Sequence, residues 1–89
     1  MNPKFELGAT VITPTALNAL HPHDVPAAIV RHVSGDWGEL DDEDKAANEG
    51  ALKHGHRILS AYHDRNQVKF WIITEADRSV TTVLLPEDY

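Results

Sequence analysis

Apolar and polar positions follow three different rhythms along this chain. Phe5 to Ile12 reads as a strand, with β-branched Val11 and Ile12 just before the break at Thr13-Pro14. Ala16, Leu17, Ala19 and Leu20 then fill a short helix. Thr13 is its predicted cap and Pro14 its first residue, where a missing N–H costs nothing. His21-Pro22-His23 ends it, because the residue before a proline avoids helical geometry. Val25, Ile29 and Val33 recur at i, i+4 and i+8, which predicts a second helix with one apolar stripe that Val30 widens. Asp24 is its expected cap, Pro26 is tolerated in its first turn, and Ser34-Gly35 stops it. A third helix is predicted from Asp41 to His54, stopped by Gly55, with Ala47, Ala51 and Leu52 toward the core.

Beyond Gly55 the rhythm changes to a period of two. Arg57 to His63, Val68 to Thr74 and Val80 to Leu85 read as strands joined by the short polar links Asp64 to Gln67 and Glu75 to Ser79. They make an antiparallel meander. In its middle strand Val68, Phe70 and Ile72 take one face while Trp71 and Ile73 take the other, so both faces need cover. Trp71 would meet the N-terminal segment, the turn around Gly35, or a second subunit. The order β-α-α-α-β-β-β predicts an α+β fold: an N-terminal strand, two to three helices, then a three-stranded antiparallel meander. Residues 1–89 are expected to form one domain.

Composition narrows the chemistry. With no cysteine, there are no disulfides, thiolate nucleophiles or cysteine-bound zinc. The start, MNPKFELG, lacks the charged and apolar regions of a secretory signal, and no apolar run is long enough to span a bilayer, so a cytoplasmic location is expected. The formal net charge is −6, which argues against direct nucleic-acid binding, since that needs basic groups to displace counterions. Asp36 to Glu49 holds seven of the fourteen acids and one base, Lys45. Arg57, Arg65, Lys69 and Arg78 make the C-terminal part mildly basic.

Each candidate residue has a functional and a structural reading. Asp41, Asp42, Glu43 and Asp44 lie where a helix dipole favours negative charge, yet they also form a face for a basic partner. They do not match a calcium loop: from Asp42, Asp44 fits, but alanines replace the next ligand and the glycine. His21/His23 and His54/His56 are H-x-H pairs with no wider metal signature, so no metal site is expected. His32 stands four residues before Asp36, and that carboxylate would orient its ring and raise its pKa. It is then either a general base or anion-binding group, or a helix C-cap histidine bonded to a carboxylate in a tight turn. Trp37 is a turn anchor or an interface residue. Asn48 is expected to bond the backbone of a neighbouring loop. Arg57 and Arg78 would bind phosphate or carboxylate if free. Ser60 has no nucleophile-elbow context, and no glycine-rich phosphate loop or other cofactor motif is present.

Three phrases stand out together: RHVSGDWGELDDED with the Asn48-Glu49 that follows, HRILSAY, and WIITEADRSVTTVLLPEDY. They resemble a family of small bacterial proteins of plasmids and integrative elements, labelled "plasmid-related protein" and sometimes type I restriction subunit. The resemblance spans Phe5 to Tyr89. It places His32, Gly35, Asp36, Trp37, Gly38, Asn48, Arg57, Ser60, Tyr62, Trp71, Thr74, Glu75, Asp77, Arg78 and Thr81 in recurring phrases. It implies a protein of mobile DNA and attaches no activity to it. The restriction label does not fit, because 89 residues cannot hold a methyltransferase domain.

Two functions follow as expectations. The first is a non-enzymatic accessory in anti-defence or plasmid maintenance that meets a basic protein through Trp37, Asp41, Asp42 and Asp44, with a homodimer through the sheet face around Trp71. The alternative is a small ribonuclease of RelE-like outline, by fold analogy. Its catalytic candidates are His32, Asp36, Arg57 and Arg78, with Tyr62 and His63 nearby. Convergence of those residues in one concavity would favour the enzyme, and dispersal the binding protein.

Overall fold

A computed structural model describes residues 2–89. It contains β1 (Ala9–Ile12), α1 (Pro14–Ala19), α2 (Asp24–Val33), α3 (Asp42–His54), β2 (Ile58–His63), β3 (Lys69–Thr74), β4 (Val80–Leu84) and a closing 3-10 turn (Pro86–Asp88). The α+β class and the element order are as the sequence pattern requires.

The helix ends show why. Thr13 Oγ1 accepts the Ala16 N–H at 3.2 Å, with Pro14 opening α1. Asp41 caps α3 by accepting the Asp44 N–H at 2.8 Å, and Gly55 ends it in left-handed geometry. One expected cap is wrong. His23 occupies the cap position of α2 and makes no side-chain cap bond, while Asp24 is the first helical residue. The Asp24 carboxylate instead takes the Arg65 guanidinium at 2.8 and 3.1 Å. The α2 stripe is also shifted. Ala28, His32 and Val33 are buried, Val25 and Ile29 are half-buried, and Val30 is exposed. On α3 the buried residues are Asn48 and Ala51; Ala47 is exposed.

The meander is antiparallel as expected, with Tyr62 opposite Phe70 and Ile72 opposite Val83. The whole sheet is mixed, in the order β1-β4-β3-β2, because β1 joins β4 in parallel with Ala9 opposite Val80. The helices between them bring the chain back in the same direction. β1 is also shorter than the apolar run suggests. Gly8 bends the chain at φ +64, packed so closely on the backbone of Arg78 and Ser79 that a Cβ would lie 2.3 Å from an oxygen. Phe5 is thereby released from the strand to pack beside Trp37 and His32.

One sheet face and the helices enclose Ala16, Leu20, Ala28, Tyr62, Phe70, Ile72, Val83 and Leu85. Trp37, Ala51 and Ile58 form a second cluster with Phe5, Leu40 and Leu52. On the opposite face Trp71 is half-buried. The Tyr89 ring lies edge-on to it at 5.8 Å. Asp64, expected in a solvated link, is buried and accepts the backbone N–H groups of His21, Asn66 and Val68.

Candidate functional site

The turn from His32 to Gly38 joins α2 to the approach of α3, and the side chains of His32, Ser34, Asp36 and Trp37 each have a hydrogen-bond partner. Asp36 does not face His32. Its carboxylate accepts Arg31 Nε at 2.7 Å, Arg31 Nη2 at 3.2 Å and the Gly38 N–H at 3.2 Å. The guanidinium holds the Asp36 carboxyl below the usual carboxylate range. Tyr62 donates its hydroxyl to the Asp36 carbonyl at 2.7 Å and lies under the Arg31 guanidinium, 4.7 Å from ring centre to Cζ. Burial pushes the Tyr62 phenol up to about 12.

Gly38 presses the turn onto β2. Its φ is +72, and a Cβ there would come within 2.0 Å of the Ala61 carbonyl oxygen. The Ala61 N–H donates to the Trp37 carbonyl at 3.3 Å, and the Glu39 N–H donates to the Ala61 carbonyl at 2.8 Å. Trp37 is 4% exposed and donates its indole N–H to Glu49 at 2.7 Å. It anchors the turn in the core, so the expectation that it meets a partner is corrected.

His32 has no solvent exposure. Nδ1 lies 2.5 Å from Ser60 Oγ and Nε2 lies 2.9 Å from Thr74 Oγ1. The direction of the chain follows from its far end. Thr81 donates its hydroxyl to the Leu7 carbonyl at 2.7 Å, so it accepts from Thr74, 2.7 Å away. Thr74 therefore accepts from His32 Nε2–H, which leaves Nδ1 to accept from Ser60. The histidine is neutral in a defined tautomer. Burial lowers its pKa to about 4, opposite to the rise expected from an Asp36 partner. The Ser60–His32 pair superficially matches a nucleophile and its base, but Ser60, His32 and Thr74 are all fully buried and admit no substrate.

The two arginine candidates are also occupied. Arg78 donates to the carbonyls of Ala51, His56, Glu75 and Ala76, tying α3 to the β3–β4 link. Its own backbone is left-handed, at φ 62. Arg57 reaches Tyr89 Oη at 2.6 Å and Glu75 at 3.5 Å. His63, on the far end of β2, bonds Glu39. His32, Asp36, Arg57 and Arg78 are thus each engaged within the fold and do not gather in one cleft, although Arg57 and Arg78 both reach Glu75, one at its carboxylate and the other at its carbonyl.

Asp41, Asp42, Glu43 and Asp44 are exposed in the first turn of α3. Among the described residues, none of them enters a salt bridge, whereas Asp24, Asp36, Glu39 and Glu75 do. Among the described residues no three His, Asp or Glu side chains gather to hold a metal ion. His21 is further engaged through Nδ1, which accepts the His23 N–H. Asn48 behaves as expected of a buried amide, with a strand in place of a loop. It accepts the Leu59 N–H and donates to the Leu59 carbonyl at 3.2 and 2.7 Å.

The buried Ser60–His32–Thr74–Thr81 chain was missed as a unit by sequence reasoning. Strand parity held part of the signal, since Ser60 shares a face with Tyr62, and Thr74 with Ile72. Only pairing of β2, β3 and β4 brings those positions beside α2.

Fold and site together define a small α+β domain with a mixed four-stranded sheet, a buried polar core and one acidic helix end. No protein-family profile, curated protein or solved structure matches the chain. Among the described residues, no helix is long and apolar enough to cross a membrane.

Proposed function

We propose that this chain is a non-enzymatic binding protein of bacterial mobile DNA, acting in the cytoplasm in anti-defence or plasmid maintenance. Its acidic α3 end docks on a basic surface of another protein. The observation that supports this reading is the state of Asp41, Asp42, Glu43 and Asp44: exposed, adjacent and outside every salt bridge among the described residues. The helix dipole accounts for part of that charge. The remainder creates a negative potential that steers a cationic partner and sets its orientation. The phrase resemblance to plasmid-related proteins points to the same setting. The ribonuclease reading lacks comparable support, because Tyr62 is buried and Arg57, His63 and Arg78 are each bonded within the fold.

The test is a pull-down from a bacterial host, followed by binding measurements on the recovered partner. Neutralising Asp41, Asp42 and Asp44 to Asn keeps a capping oxygen at position 41 while removing the charge. The complex is expected to weaken by about tenfold or more, and to weaken in wild type as salt rises. A partner indifferent to both changes ends the proposal, as does a host that yields none.

A further inference from the structure

α3 closes the β2 edge of the sheet, where the Asn48 amide brackets the backbone of Leu59. Two hollows adjoin that bracket. The first, of about 390 Å³, lies against α3 and is lined by Asn48, Gly50, His54, His56 and Arg57 among others. The second, of about 230 Å³, shares Ala47, Asn48 and Arg57 with it and adds Leu40, Asp44 and Leu59. The chain carries fourteen acids, yet the first hollow has none in its lining and three groups that can be cationic. They come from the run Lys53-His54-Gly55-His56-Arg57 at the end of α3.

The donors in this run have capacity to spare. The His54 and His56 rings stand 6.2 Å apart, centre to centre, and both are exposed. Among the described residues neither ring makes a hydrogen bond, whereas His32 is bonded to Ser60 and Thr74 and His63 to Glu39. Arg57 gives Nη1 to Tyr89 and sets Nε 3.5 Å from Glu75, which leaves Nη2 without a hydrogen bond among the described residues. Asn48 Nδ2 carries a second hydrogen beyond the one donated to Leu59. The last carbonyls of a helix ordinarily repel an anion. Here the Ala51 carbonyl is screened, because it accepts from the Gly55 and His56 N–H groups and from Arg78 Nη2. Gly50 is an unfavourable residue inside α3, and nothing lies within 4 Å of a Cβ built on it, so packing does not require it. Its missing side chain leaves the hollow open.

We propose that this hollow binds the phosphate of a small phosphomonoester. His54, His56 and Arg57 supply donors and positive charge to the phosphate oxygens. The organic part of the ester extends past Ala47 toward Leu40 and Leu59, where Asp44 accepts a hydroxyl or amine hydrogen. One guanidinium and two imidazoles suit a single dianionic group. A nucleic acid requires a track of cations, and the α3 turn that bounds the second hollow is acidic instead. Binding of this kind needs no protein partner at the acidic end of α3, so the two readings fail separately.

Phenyl phosphate titrated into the isotope-labelled chain should give saturable NMR shifts at the Gly50, Gly55, His56 and Arg57 amides, and inorganic phosphate should bind more weakly. His54→Gln, His56→Gln and Arg57→Gln should each raise the dissociation constant by about fivefold or more. Gly50→Gln installs a better helix former and fills the hollow, so it should bind weakly while melting no lower than wild type. His23→Gln, in the other H-x-H pair, should bind as wild type does. Sulfate keeps its double charge between about pH 6 and 8, so its tighter binding at the lower pH reports the imidazoles. Lys53 and Arg78 near the site, and Glu75 and Asp44 opposite in sign, keep their charge over that range. The pH effect should therefore vanish when His54 and His56 are both replaced by Gln. Absence of saturable shifts in this segment overturns the proposal. So does affinity unchanged in the histidine, Arg57 or Gly50 variants, or lost equally in His23→Gln. Inorganic phosphate bound as tightly as the ester also overturns it, as does a single-stranded oligonucleotide bound more tightly than the ester.

Discussion

His32 is held neutral by burial, and its neighbours decide which nitrogen keeps the proton. Its folded pKa of about 4 lies below the ordinary 6.5, so between those values the unfolded chain binds a proton that the folded chain refuses. The sign is definite: this contribution is complete above pH 6.5 and is lost as pH falls toward 4. Integrated over that window it amounts to roughly 3 kcal/mol. Urea unfolding as a function of pH should show the fall, and His32→Gln should remove this slope while lowering stability at neutral pH. A wild-type midpoint flat from pH 7 to pH 4 would contradict the assignment. Asp24, held at about 2 by the Arg65 hydrogen bonds, loses its contribution only as pH drops through the ordinary carboxylate range toward 2, below the histidine window.

The candidate site was partly legible at this scale. The Asp41 cap follows from local hydrogen-bonding chemistry, and the Asn48 amide was expected to seek backbone. The Asp36 partner was not legible. Arg31 and His32 are adjacent in sequence, but α2 points one outward and the other into the core. Proximity along the chain could not distinguish them.

Elements here are joined by backbone contacts at a few positions. Gly38 and Gly50 make opposite predictions. Alanine at 38 keeps the left-handed strain and drives Cβ into the Ala61 carbonyl, so Gly38→Ala is expected to cost more than about 2 kcal/mol. Gly50 lies inside α3 with nothing within 4 Å of an added Cβ. Gly50→Ala should therefore stabilise by about 0.5–1 kcal/mol through helix propensity. Thermal or denaturant melts of the two variants measure both signs. Asn48→Ala tests the closed edge: it orphans the Leu59 N–H and carbonyl, and should cost about 1–3 kcal/mol with faster amide exchange at Leu59. Unchanged exchange there would show that the bracket does not protect the strand.

At the scale of the molecule, charge and apolar surface are separated. The acidic end of α3 lies beside the closed β2 edge of the sheet, and an uncharged groove between β1, α1 and α2 lies beside the open one. Salt should weaken docking of a basic partner at the acids.

Local physics was enough for the element types, the caps at Thr13 and Asp41, the stop at Gly55 and the antiparallel pairing of the last three strands. Those features arise within a few residues, from side-chain size, backbone freedom and hydrogen bonds to near neighbours. The parallel seat of β1 on β4, the burial of Trp37 and the Ser60–His32–Thr74–Thr81 chain required the fold, because each joins segments distant in sequence. The same holds for the exposed β1 edge. A strand's own residues mark it as a strand, but only the order of the sheet decides whether its second side has a neighbour.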